Sequence, residues 1–98
     1  MGTLIYAGSR EIAFDDRTLA HLQIAIGLKL RRQEGFFFAW EDGVDGGGGR
    51  GAVWIDHSIP LLFRYESVQA PKISREWLEE LTASSNSSQG LVLADERR

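Results

Sequence analysis

The sequence predicts an α+β domain: a small, mostly antiparallel sheet packed by one long helix and one short helix, in the order β-β-α-β-β-β-α-β. Three observations lead there. Residues 15–33, DDRTLAHLQIAIGLKLRRQ, are the only long segment with a full set of helix signals. Short apolar runs on either side of it are punctuated by glycine, proline and serine, the pattern of strands joined by turns. The chain has 98 residues, 43% of them hydrophobic, with three tryptophans and five phenylalanines, enough for one core and not the composition of a disordered segment.

Residues 3–7, TLIYA, read as a first strand, and Gly8-Ser9 as a two-residue turn. Residues 10–14 return antiparallel, with Ile12 and Phe14 on one face. Asp15 then stands as helix N-cap, its carboxylate placed to accept from the N–H groups of Arg17 or Thr18. Phe14 and Leu19 occupy the positions of a hydrophobic staple. Asp16 suits the positive end of the helix dipole, and Lys29, Arg31 and Arg32 suit the negative end. Gly35 offers a stop, so the helix is expected from about Asp16 to about Gln33.

Residues 35–41, GFFFAWE, carry the strongest strand signal. Phe36, Phe38 and Trp40 share one face and Phe37 and Ala39 the other, and the near-continuous apolar character predicts a central strand covered at least partly on both sides. Residues 42–51, DGVDGGGGRG, form a flexible Gly-rich connection to a strand at 52–57. Ser58-Ile59-Pro60 interrupts it, because proline lacks a ladder donor. Extended structure resumes at 61–66, and 67–72 is a turn. Ser74 caps a short helix over 75–84, stapled by Ile73 and Leu78 and buried through Trp77, Leu78 and Leu81. A polar loop precedes a last strand at 91–94, and residues 95–98 are expected to fray. The whole is one domain, 1–98.

The formal charge of -3 leaves no chain-wide basic field for nucleic acid. The absence of cysteine excludes disulfides, thiol catalysis and thiolate metal sites, and fits a reducing cytoplasm. The first residues lack the basic and apolar regions of a secretory signal, and no apolar run has the length of a membrane span. A cytoplasmic protein without membrane attachment is expected.

The Gly-rich loop invites comparison with a phosphate cradle. A P-loop leads through Lys-Ser/Thr into a helix, whereas this loop runs from strand to strand and contains no lysine. Within it Arg50 is a candidate for contact with a phosphate or a partner. Asp42, Asp45, Asp56 and His57 lack the regular spacing and closing glutamate of a calcium loop. His21 and His57, the only histidines, form no HExxH pattern, and no nucleophile elbow surrounds Ser58. No catalytic residue, cofactor or metal site is expected. Trp54, Phe63 and Arg64 raise a stacking surface for single strands, with few basic residues to support it.

The central helix has two apolar sides. Leu19, Leu22, Ile26 and Leu30 form one stripe, flanked by Ala25 and Gly27, for the sheet. Ile24 and Leu28 lie within about 40° of one another on the other side, bordered by Arg17, His21, Arg31 and Arg32. Either the second helix or a loop covers them, or they anchor a subunit or partner contact. His21 is expected to be partly exposed there. Gly27, mid-helix at a cost of about 1 kcal/mol against alanine, suits close approach of another element or is a tolerated imperfection. The leading expectation is an interaction module, self-associating as a homodimer, with Arg17, His21, Ile24, Leu28, Arg31 and Arg32 as its surface. A nucleic-acid-associated module using Arg17, Arg31, Arg32 and Arg50 is the alternative, and a nucleotide-dependent enzyme comes third.

Four segments carry a resemblance: GTLIYAGS, FDDRTLAHLQIAIGLKLRRQEGFFFAW, WIDHSIPLLFRY and ISREWLEELTASSNSSQGLVL. Over nearly its entire length the chain resembles a family of actinobacterial proteins of about this size and of unknown function. Such proteins are often labelled ATP-dependent DNA ligases. A ligase of that kind takes AMP on the lysine of a Lys-x-Asp-Gly motif. The nearest string here is Trp40-Glu41-Asp42-Gly43, with Trp40 in the lysine position, and Lys29 is followed by Leu30-Arg31-Arg32. These residues do not support the ligase label.

Overall fold

The computed structural model describes residues 1–41 and 48–94. Most of the expected Gly-rich loop (42–47) and the expected frayed end (95–98) lie outside them. The element order is β1 (Gly2–Tyr6), β2 (Arg10–Phe14), α1 (Asp16–Arg31), β3 (Phe36–Glu41), β4 (Arg50–Ile55), β5 (Leu61–Arg64), α2 (Arg75–Ser85) and β6 (Leu91–Val92). This is the predicted β-β-α-β-β-β-α-β order of an α+β fold.

The strands divide into two three-stranded sheets, β2-β1-β5 and β4-β3-β6. All pairings are antiparallel except β3 with β6, where Phe38 faces Leu91 in parallel register. The β1–β2 turn uses Ala7 and Gly8, both at positive φ, closed by Ser9 N–H to the Tyr6 carbonyl at 3.2 Å. Two central residues at positive φ match the twist of the flanking strands. The sheets are tied by Tyr6, whose hydroxyl donates to the Trp54 carbonyl at 2.5 Å.

One core lies between the sheets and the helices. Leu4, Ile12 and Phe14 from the first sheet meet Leu19, Leu22, Ala25 and Ile26 of α1, with Phe36, Phe38, Trp40, Ile55 and Leu91 from the second sheet and Trp77 and Leu81 of α2. Leu19, Leu22 and Ile26 are fully buried, each stabilising by roughly 1.5–3 kcal/mol. The stripe assigned to the sheet is thus the buried one, except that Leu30 is only half-buried.

Both ends of α1 differ from expectation in detail. Asp15 is the N-cap by position, but its carboxylate accepts from the Thr18 hydroxyl instead of a backbone N–H. At the other end the stop comes two residues before Gly35. Gln33 takes φ 57, its N–H bonds the Leu30 carbonyl, and the Glu34 N–H bonds the Lys29 carbonyl at 3.2 Å. That pair of bonds is a Schellman closure made without glycine. Gly35 serves packing instead, since a Cβ there would stand 2.4 Å from the Trp54 ring. At α2 the cap is the expected one, the Ser74 hydroxyl accepting from Trp77 N–H at 3.2 Å.

Residues 66–73 form a strap that leaves β5, crosses the first turns of α1 and enters α2. Asp16 holds its start, accepting from Glu66 N–H at 3.2 Å and Ser67 N–H at 3.0 Å. Arg17 holds its far end by donating to the Lys72 carbonyl. The strap therefore covers the amino-terminal part of the outward side of α1 and leaves the carboxy-terminal part open.

Candidate functional site

The open part of α1 gathers Ile24, Gly27, Leu28 and Arg31. Ile24 and Leu28 retain 37% and 38% of their exposure, whereas Leu22 and Ile26, each two positions from Ile24, retain none. Coverage of the pair by the second helix or a loop, one of the two sequence expectations, is incomplete: the strap flanks Ile24, and more than a third of each residue stays exposed. α2 packs instead along the flank formed by His21, Ala25 and Lys29. Lys29 is buried there, its ammonium 3.1 Å from Asn86 Oδ1 and 3.3 Å from Glu34 Oε1.

Two shallow grooves border the open face. One, of about 510 Å³, runs between α1 and β5, walled by Ile24, Leu28 and Arg31 and by His57, Leu61 and Phe63. The other, of about 370 Å³, lies between Ala20 and Ile24 of α1 and the strap residues Val68, Pro71 and Ile73. Gln23 stands between them and accepts from the Tyr65 hydroxyl at 2.6 Å. Burial, and then the negative charge of Asp16, raise the Tyr65 pKa above its ordinary value, so that hydroxyl stays a donor.

The structure distributes the six predicted surface residues unevenly. Ile24, Leu28 and Arg31 come together, and Arg32 is exposed at the helix C-cap beside them. Arg17 points towards the end of the strap. His21 corrects the expectation of partial exposure: it is fully buried. Its ring lies 4.4 Å from that of Trp77, with Nδ1 2.7 Å from the Arg17 carbonyl and Nε2 accepting from Ser74 N–H at 2.8 Å. Its position on the wheel suggested a surface residue because nothing local announces that the start of α2 will need a hydrogen-bond acceptor. Arg50 opens β4 opposite Glu41, is exposed, and lines neither groove.

A second open apolar surface contains Trp54, which the sequence grouped with Phe63 and Arg64; these lie in the other sheet, and the partner of Trp54 is Phe37. Phe37 and Trp54 are direct cross-strand partners on the outer face of the second sheet, in an edge-to-face pair with ring centroids 5.1 Å apart. They are 54% and 43% exposed, and Val92 beside them is 40% exposed. β3 is the central strand of its sheet, as expected, and its second face is covered only in part, with Ala39 half-buried and Phe37 exposed. The inward face, Phe36, Phe38 and Trp40, is buried, and the outward one is open, so the signal available was the alternation of the strand more than its overall hydrophobicity. Asp56 fixes this surface from below. It accepts from Trp54 Nε1 at 2.9 Å, Ser58 Oγ at 2.6 Å and Ser58 N–H at 2.8 Å. Those donors, the Ser58 hydroxyl foremost, hold its carboxyl below the usual value.

Ser58 is thus engaged by a carboxylate in a turn, while His57 faces the groove beside α1. Among the described residues no group of three or more His, Cys, Asp or Glu side chains is placed to hold a metal ion. No helix among them is long and apolar enough to cross a membrane. What the open α1 face presents is chemistry for contact: aliphatic side chains, half-buried aromatic walls and arginine at one end.

No curated protein and no solved structure matches the chain. Over residues 1–96 it matches the family described as Domain of unknown function (DUF7882), and it belongs to that family.

Proposed function

We propose that this domain acts by protein–protein association, docking a partner on the open face of α1. The observation that carries the reading is the exposure of Ile24 and Leu28, 37% and 38%, on a helix whose other apolar residues are buried or half-buried. A solvated helix face ordinarily carries polar residues there. Contiguous apolar surface with an arginine rim is the composition of a contact site. Arg31 and Arg32 supply directed hydrogen bonds at the rim. The cytoplasm is the setting that suits a chain without cysteine.

The test is photo-crosslinking in the native host, with Leu28 replaced by a photoreactive amino acid. A discrete adduct that disappears when Ile24→Ser is added supports the reading. No adduct, or one indifferent to Ile24→Ser, overturns it. The same experiment with the reactive group at Val92 reports on the aromatic sheet face and serves as the spatial control.

A further inference from the structure

We infer that the cleft between the two sheets beside the β1–β2 turn is a binding site for a small aromatic carboxylate, with Arg10 as its anion-binding group. The cleft shares no lining residue with the grooves of the α1 face.

Placement is the first argument. Arg10, Ile12 and Phe14 alternate onto one side of β2, and Ile12 and Phe14 are buried in the core. Arg10 thus occupies the core-facing register of its strand, and it is exposed, so it stands where that side opens to solvent. Its cross-strand partner Tyr6 shares the same side. The second sheet contributes Trp40 and Val53 from inward positions of β3 and β4. The volume of the cleft is about 470 Å³, inside the roughly 300–1,000 Å³ range of small-molecule sites.

The walls are aromatic. The Tyr6 hydroxyl donates to the Trp54 carbonyl, which ties the first sheet to the second at this point and fixes the Tyr6 ring. The Trp40 indole lies against Gly51, where a Cβ would stand 2.5 Å from it. Glycine at 51 admits the indole that close to β4. Two aromatic side chains on one cleft suit a flat ring, which stacks offset or edge-on against them.

Charge decides the class of ligand. Arg10 is the only charged residue that lines the cleft. Glu11 alternates to the outer side of its sheet and pairs with Arg64 at 3.7 Å, and Glu41 and Arg50 are partners on the outer side of the other. Among the described residues Arg10 itself makes no hydrogen bond or ion pair. Its planar fork of donors matches a carboxylate, and the Ser9 hydroxyl beside it adds another donor. One guanidinium balances the single charge of a carboxylate, whereas a phosphate monoester carries about -1.5 to -2. β2 is also an edge strand, where an inward-pointing charge deters pairing with another chain. The two roles respond differently to a ligand.

The experiment is a nuclear magnetic resonance titration of the isotope-labelled full chain with naphthoate, with naphthamide and acetate as matched probes. Saturable shifts are expected at Ser9, Arg10, Gly51 and the Trp40 indole N–H. Naphthamide keeps the ring without the charge, and acetate keeps the charge without the ring. Each is expected to bind about tenfold more weakly or worse, which corresponds to about 1.4 kcal/mol. Arg10→Gln is expected to keep the circular dichroism spectrum and to weaken naphthoate by a similar factor. Arg10→Lys should weaken it less, and Arg50→Gln should leave it unchanged. Absence of binding at millimolar naphthoate overturns the inference, as do shifts confined to other surfaces, or naphthamide or acetate binding as well as naphthoate. Naphthoate binding that survives Arg10→Gln, or that is lost with Arg50→Gln, overturns it too. An Arg10→Gln variant that binds naphthoate as the wild type does and self-associates more readily assigns the arginine to guarding the sheet edge instead.

Discussion

His21 Nε2 accepts the backbone N–H of Ser74 at 2.8 Å, so a side chain of α1 satisfies one of the orphan donors at the start of α2. Its other ring nitrogen lies 2.7 Å from the Arg17 carbonyl oxygen. A carbonyl facing Nδ1 and an N–H facing Nε2 assign the proton to Nδ1. The histidine is a joint between the helices, with no atom left to meet a partner. His21→Ala leaves the Ser74 N–H without its acceptor and a void against Trp77. We expect a loss of about 2–4 kcal/mol, read as a lower urea midpoint with little change in slope. His21→Gln, whose Oε1 reaches the Ser74 N–H, recovers part of that loss. Full recovery by His21→Phe sinks the account, because phenylalanine restores only the packing.

The acid limb of stability is set in part by Asp16 and Asp56. Asp16 accepts from Ser67 N–H and Glu66 N–H, and those bonds, Ser67 first, hold its carboxyl below the ordinary 3.8. Asp56 is lowered from the same value by the Ser58 hydroxyl and then by the Trp54 indole. A carboxyl that is a stronger acid in the folded chain stabilises the fold while both states are ionised, above 3.8. That contribution fades as pH falls through the lowered folded values. Urea midpoints measured down the acid range should therefore decline more gently in Asp16→Asn and Asp56→Asn than in the wild type. Equal slopes in variants and wild type count against it. Because Trp54 Nε1 donates to Asp56, Asp56→Asn should also shift tryptophan emission, and Asp16→Asn should not.

Local signals made the elements legible, and distant partners decided the sites. The Ser74 cap and the alternation of Phe36, Phe38 and Trp40 depend on neighbours a few residues away, and both were readable. The exposure of Ile24 and Leu28 depends on where the strap stops, which is fixed by Asp16 gripping Glu66 and Ser67 fifty residues on. The wheel identified the pair as anomalous but left both coverage and contact open. The burial of His21 and the opening of Phe37 had the same origin. α2, remote in sequence, supplies a donor to one, and the other meets no further layer among the described residues.

Gln33 is the residue at the end of α1 where the local solution is not the best one. Its φ of 57 is the left-handed region that glycine occupies without cost. The Schellman bonds around it are already formed. Gln33→Gly should raise stability by about 1 kcal/mol, a net figure after the added chain entropy of glycine. Thermal denaturation gives the sign directly, and a lower melting temperature refutes the strain argument.

Two glycines make the opposite demands and test packing most directly. Gly90 sits at φ +79, and a Cβ there would stand 2.3 Å from the Phe37 carbonyl oxygen, which is backbone and has nowhere to go. Its place is fixed by the parallel pairing of β6 with β3, so Gly90→Ala must open that pairing or strain the turn. A loss of about 3 kcal/mol or more is expected, and with it exposure of Leu91. Beyond its own helix backbone, a Cβ at Gly27 meets no atom of the described residues within 4 Å, and alanine is favoured inside a helix by about 1 kcal/mol. Gly27→Ala should therefore melt higher than the wild type, with the helical circular dichroism spectrum unchanged. A melting temperature equal to or below that of the wild type refutes the argument.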